Sequence, residues 1–213
     1  MISHFLTVAN CEKIKYAVLN LMDEQLKIKY AKTRSVWRDV ADAARTTIHK
    51  EEGEKEPSST WKRRMLLCEH SPIRQMIFKW KWINLKYWVS VHFVRHKVGI
   101  EHYVSTQRTD RTGQNRDDIP QSALVNHECC ANAQALITIS RKRLCRQASS
   151  ETTLAWKLVL AEVQRTEPEI VSVCVPECVY RGFCPEFKPC GYSATAAYRK
   201  ALKTYHEGQP EKE

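Results

Sequence analysis

Ile77-Phe78-Lys79-Trp80-Lys81-Trp82-Ile83 sets an aromatic ring at every second position with a lysine between the rings. A period of two is that of a β-strand, whose successive side chains face opposite ways. Phe78, Trp80 and Trp82 therefore share one face, and Lys79 and Lys81 the other. This predicts a half-buried strand. Aromatics interleaved with lysines also suit a platform for single-stranded nucleic acid, but a core face backed by solvated lysines accounts for them without a ligand.

Helical periodicity surrounds this strand. Ile14, Val18, Leu21, Met22 and Leu26 predict a helix over 11–30 after a cap at Asn10, and Val36, Val40, Ala43, Ala44 and Ile48 predict another over 35–49. The polar run 51–60, with Gly53 and Pro57, predicts a surface loop, and a short helix follows Ser59. Residues 87–95 predict a short buried helix. A longer one is expected from Ser122 to Arg146, where Asn132 and Arg143 are eleven residues apart. Three helical turns leave a drift of about 20°, so both would project from one face. Helices over 151–164 and 193–205 and a frayed tail over 206–213 complete a single domain.

With 34 Lys and Arg against 24 Asp and Glu, the formal charge is +10, which implies an anionic partner. Nucleic acid and smaller phosphate- or carboxylate-bearing ligands both qualify. Nothing in the sequence reads as a membrane span or secretory signal, so reduced thiols in a cytoplasm are expected for the nine cysteines. Cys174, Cys178, Cys184 and Cys190 fall within seventeen positions and invite a zinc reading. Neither two-residue knuckle spacing is present, so no metal ligand is assigned.

The predicted helix 87–95 ends in Arg95-His96-Lys97, followed after seven residues by Ser105-Thr106-Gln107-Arg108. Arg95 and Arg108 offer planar forks of donors suited to phosphate or a carbonyl-rich ring. His96 can shuttle a proton or stack on a flat ligand.

Arg95-His96-Lys97, seven residues and Ser105 resemble the signature of the flavin-dependent thymidylate synthases, Arg-His-Arg, seven residues, Ser. The resemblance extends over about residues 65 to 192. Arg116, Ile119-Pro120, Asn132 and Arg143 stand at the intervals of that family's Arg, Leu-Pro, Asn and Arg, and Ser71-Pro72, Ala148 and Glu151 also match. It implies an α+β fold with an antiparallel sheet and long helices, and a homotetramer with active sites shared between subunits. The implied activity is C5 methylation of dUMP to dTMP, with FAD as cofactor and NADPH and methylenetetrahydrofolate as co-substrates. Carried over by position, Arg95, His96, Ser105 and Arg143 are the catalytic group. Ser105, Gln107, Arg108, Arg116 and Arg143 bind the nucleotide. Ser71, Arg95, His96, Lys97, Asn132 and Gln147 contact the flavin.

Departures cluster at substrate positions. Lys97 replaces an Arg, Arg74 and Tyr103 each replace a Glu, His92 a Gln and Gln134 an Arg, and the arginine after Ser105 is shifted by one place. A same-fold enzyme acting on dCMP, or transferring hydroxymethyl, would show such changes. A basic nucleic-acid-binding protein with a zinc-stabilised tail is the alternative from another class.

Overall fold

The computed structural model describes residues 26–34 and 37–207. At its centre, β2 (Ile77–Lys86) pairs antiparallel with β1 (Lys27–Arg34) on one side and with β4 (Leu124–Asn132) on the other. β3 (Ile100–Val104) pairs antiparallel with β4 and closes the order β1-β2-β4-β3. The expected α+β class with an antiparallel sheet is what the chain adopts. No helix among the described residues is long and apolar enough to cross a membrane.

Phe78, Trp80 and Trp82 are at most 1% exposed, which settles the face of β2 that packs inward and removes the rings from any role as a nucleic-acid platform. Trp82 stacks on Phe93 at 4.4 Å and meets Trp80 edge-on at 5.6 Å. Two of the buried indole N–H groups in this core reach acceptors, while that of Trp80 has none among the described residues. Trp82 donates to the Ala155 carbonyl at 3.0 Å, and Trp156 to Ser140 Oγ at 2.9 Å.

Helices complete the core on that face, except for a short exposed one over 109–112. The helices are α1 (Trp37–Thr46), α2 (Ser59–Leu67, capped by Ser58), α3 (Tyr87–Phe93), α4 (Thr109–Thr112), α5 (Ala133–Arg143), α6 (Ser150–Thr166), α7 (Pro168–Val173), α8 (Glu177–Arg181) and α9 (Ala196–His206). The expected strand 77–83 and the helices over 35–49, 87–95, 151–164 and 193–205 form close to their predicted bounds. The expected helices over 11–30 and 122–146 need correction.

Residues 27–34 are β1, an edge strand; residues 11–25 lie outside the described ones. Lys27, Ile28 and Lys29 alternate exposed, half-buried and exposed, the charged pattern that guards a sheet edge. Leu26, counted as the last apolar helical position, is instead buried at the strand's entry.

The second correction concerns β4. Val125, His127, Cys129 and Ala131 point inward at period two, and α5 starts only at Ala133. Sheet partners on both sides override the weak β-propensity of Asn126, Glu128 and Asn132. Asn132 is therefore not on a helical face with Arg143. It is the cap of α5, its Oδ1 accepting from the Ala135 N–H at 2.9 Å. β3 is a further strand, which the sequence reading did not anticipate.

Candidate functional site

α3 is short because both ends are held. The Tyr87 and Trp88 N–H groups donate to the Ala123 and Gln121 carbonyls, and the buried Phe93 anchors the other end on Trp82. The chain then leaves the core, with Arg95 and Lys97 exposed and His96 half-buried between them. Gly99, at φ +71°, turns it back into β3. A Cβ there would come within 2.7 Å of the Asn132 side-chain amide, while the Asn132 N–H donates to the Gly99 carbonyl at 2.9 Å. Two predicted flavin contacts thus flank a turn that needs glycine on two counts.

Arg143, the last residue of α5, reaches this segment from across the fold. Its Nε–H donates to His96 Nε2 at 2.9 Å and its Nη2 to the His92 carbonyl at 2.5 Å. The guanidinium carbon lies 5.8 Å from the Phe93 ring centre. Burial, then the Arg143 charge, then His102, pull His96 down to about 4. His96 is thus neutral near pH 7 with its Nε2 lone pair occupied, so its proton sits on Nδ1. It presents a hydrogen-bond donor, not a base. Burial and the charges of Arg143 and Arg95 lower His92 as well, and its Nδ1 pairs with Thr152 Oγ1 at 2.9 Å.

The structure thereby brings together Arg95, His96 and Arg143, with Lys97 beside them. Asn132 is tied to the same segment through Gly99. Ser105, Gln107, Arg108 and Arg116 lie elsewhere. Ser105 closes the β3–β4 ladder at its far end, exchanging hydrogen bonds with Asn126. Six residues of strand separate Asn126 from Asn132, roughly 20 Å at the rise of a β-strand. Arg108 is exposed and forms a two-point pair with Asp110 at 2.9 Å, and Arg116 is exposed on a short 3-10 turn. Among the described residues, no hydrogen bond or ion pair joins either arginine to Arg143. Ser71 is exposed at the start of the 3-10 turn Ser71–Gln75, and Gln147 donates to the Lys188 carbonyl at 2.6 Å. An open cleft of about 610 Å³ beyond the α5–α6 connection is lined by Arg146, Glu151, Lys157 and Tyr192 and contains none of the predicted residues.

Two clusters escaped sequence reasoning. Behind His96 runs a relay of rings: His102 Nε2 donates to the His96 carbonyl at 2.7 Å, leaving its Nδ1 to accept from His127 Nε2 at 2.9 Å. His127 Nδ1 in turn accepts from Ser90 Oγ at 3.0 Å. With Cys129 these rings form a trio whose ligand-type atoms lie within 4.8 Å of one another. Every ring nitrogen of the trio already has a hydrogen-bond partner, and burial pushes the Cys129 thiol far up. The set works as a hydrogen-bonded chain. Only the period-two placement of His127 on β4 could have disclosed it.

The second cluster surrounds Glu69, whose carboxylate accepts from Gln134 Nε2 and Arg141 Nη2. Arg141 also lies over the Tyr180 ring at 3.4 Å. His70 Nδ1, Gln134 Oε1 and Arg141 Nε are buried without a hydrogen-bond partner among the described residues.

No protein-family model matches the chain, and no curated protein matches it in sequence. In structure it is similar to the UMP/dUMP methylase PolB from Streptomyces cacaoi bound with 5-Br dUMP. That match has a TM-score of 0.57 and 12% identity over 74% of this chain and 95% of that one. The same methylase bound with 5-Br UMP matches with a TM-score of 0.54 and 12% identity, over 70% and 92% of the two chains. What this chain shares with that methylase is its fold, nearly from end to end of the methylase.

Proposed function

We propose that the chain is an enzyme that alkylates a pyrimidine nucleotide at C5: dUMP is methylated to dTMP, with FAD, methylenetetrahydrofolate and NADPH. The observation that carries this reading is the half-buried Arg143–His96 pair beside Arg95, on a fold similar to that of a UMP/dUMP methylase. A flat anionic ligand set against these groups meets one exposed and one half-buried guanidinium and a neutral imidazole donor.

The residues fit a flavin. Arg95 and Lys97 supply exposed cations for its phosphates. The Glu69–Arg74 segment, whose Ser71-Pro72 matches a flavin-contacting one, contains the unpartnered His70 Nδ1 and adjoins the unpartnered Gln134 Oε1, each able to bond a heteroaromatic edge. When bound, a reduced flavin would supply the hydride, and NADPH would restore it. The protein's part is binding and electrostatics. Arg143, held by His96 and the His92 carbonyl, would stabilise negative charge that builds on the pyrimidine oxygens. His96 would donate from Nδ1 without taking up a proton.

Arg116, Arg108, Gln107 and Ser105 complete the nucleotide site in this reading, and their separation from Arg143 supports completion by a second copy of the chain. A homotetramer with shared sites satisfies this. A second substrate, dCMP, or a hydroxymethyl product, is favoured by one observation: Gln134, standing where the resembled family has Arg, is engaged by Glu69.

Incubation with reduced flavin, methylenetetrahydrofolate and each of dUMP, UMP and dCMP, with the product read by mass, tests the proposal. A C5-alkylated nucleotide is expected, and its mass distinguishes methyl from hydroxymethyl. A yellow protein that alkylates none of the three would refute the activity, and a colourless one would refute the flavin.

A further inference from the structure

Cysteines 178, 184 and 190 recur every six residues through a stretch that has little else to hold it. Between Gly182 and Gly191, both at positive φ, the chain forms neither helix nor strand. From Arg181 to Cys190 only Cys184 and Glu186 are less than exposed, and Phe183 and Phe187 turn outward at 59% and 99% exposure. Hydrophobic burial does not explain how this segment keeps its place.

Folding brings a fourth thiol to it. Cys145, thirty-three residues before Cys178 and just past the end of α5, lines one small cavity with Cys178, Cys184 and Cys190. The cavity measures about 10 Å³, room for a single ion or water. The Cys145 sulfur is in electrostatic range of Cys184, Cys190 and Glu186, and Cys178 in range of Cys145 and Cys184. None of the four is in a disulfide. Cys174, which sequence spacing groups with them, is instead buried against Ser140.

We propose that Cys145, Cys178, Cys184 and Cys190 form a structural tetrathiolate zinc site. Four thiols around one small void can draw together on a metal into the closed four-coordinate arrangement zinc prefers, and no position would be left open for catalysis. Four Zn–S bonds form as four protons leave to solvent, giving a centre of net charge −2. Arg146, on the cavity wall and stacked on Tyr192 at 4.3 Å, is placed to offset that charge. The metal would tie the α5–α6 connection, and so the chain just past Arg143, to the tail segment. The two-residue knuckle is absent because the ligands come from three parts of the fold.

The test is metal analysis of the whole protein purified under reducing conditions without chelator. One zinc per chain is expected. Cobalt added to the stripped, reduced protein should give the visible bands of a tetrahedral site and the near-ultraviolet absorption of cobalt–thiolate bonds. Cys145→Ser should lose most of the zinc, whereas Cys174→Ser and Cys68→Ser should retain it. If Cys145→Ser does not fold, the cobalt spectrum of the parent decides. Absence of cobalt–thiolate absorption overturns the site, as does zinc lost on Cys129→Ser and retained on Cys145→Ser. Mass-mapped disulfides among the four cysteines in the freshly isolated protein would overturn it too. None of these readings depends on activity.

Discussion

Arg143 and His96, forty-seven residues apart, meet through one N–H···N hydrogen bond of 2.9 Å, and that bond decides what each can do. The imidazole is kept neutral and turned into a donor. The guanidinium is held at the edge of the core, where loss of hydration strengthens its pull on an anion.

Removing Arg143 should therefore act on binding and on local order together. Arg143→Ala leaves His96 Nε2 and the His92 carbonyl without their donor, and a charge-assisted bond of this kind is worth ~1.5–3 kcal/mol. We expect deoxyuridylate affinity, measured by calorimetry, to fall at least about tenfold while flavin content changes little. Parental affinity in this variant would remove Arg143 from the nucleotide site.

Arg116 is exposed, so Arg116→Ala should change stability by no more than ~0.5 kcal/mol and yet impair turnover. If sites are shared between subunits, mixing inactive Arg116→Ala and Arg143→Ala proteins after partial denaturation and refolding should restore part of the activity. Mixtures as inactive as their components would argue for a site contained in one chain.

Gly99→Ala meets two obstacles, a left-handed backbone and the Asn132 amide, and should cost ~1–2 kcal/mol in urea unfolding. Asn132→Ala should cost about 1 kcal/mol through loss of the α5 cap. Because the second change removes the amide that the first one strikes, the double variant should lose less than the sum. Strict additivity would mean that the two positions do not press on each other.

His127 is wholly buried and pulled down to about 4, by burial first and by His102 second. Its folded value lies below the ordinary 6.5. As pH falls through the window between them, the unfolded chain takes up a proton that the folded chain refuses. Stability should therefore decrease towards acid, by ~1.4 kcal/mol per pH unit at most for this one ring. Unfolding at three pH values across the window should show this slope, and His127→Gln should flatten it. An unchanged slope in the variant would assign the effect to other groups.

Trp156 is fully buried between Trp80 and Phe93 and bonded to Ser140. Trp156→Ala should cost ~3–5 kcal/mol, and a loss below about 1 kcal/mol would mean that the aromatic cluster is not the core's keystone.

Particular residues show how far the sequence carried. β2 was legible because large aromatics alternate with lysines, so period and burial coincide. β4 was not, since its inward positions include a histidine, a cysteine and an alanine, which carry little hydrophobic signal, while the apolar spacing of α5 extends the helical pattern backwards over it. β1 was hidden by helical spacing inherited from the residues before it. At the site, Arg95, His96 and Arg143 are legible from motif spacing and do converge, because the C-terminal ends of two helices, α3 and α5, bring them there. The His127–His102 relay and the place of Cys145 among the thiols depend on strand register and chain crossing, which spacing along a chain does not encode.

The amide of Asn132 stands at a junction of three pieces: the last rung of one strand, the first turn of a helix and the bend after Arg95, His96 and Lys97. Whatever ligand leans on that bend must push on the strand and the helix at once. The segment proposed to meet the substrate is thus braced like a bracket bolted to two walls, and any discrimination it exerts should come from swapping side chains rather than from moving the backbone.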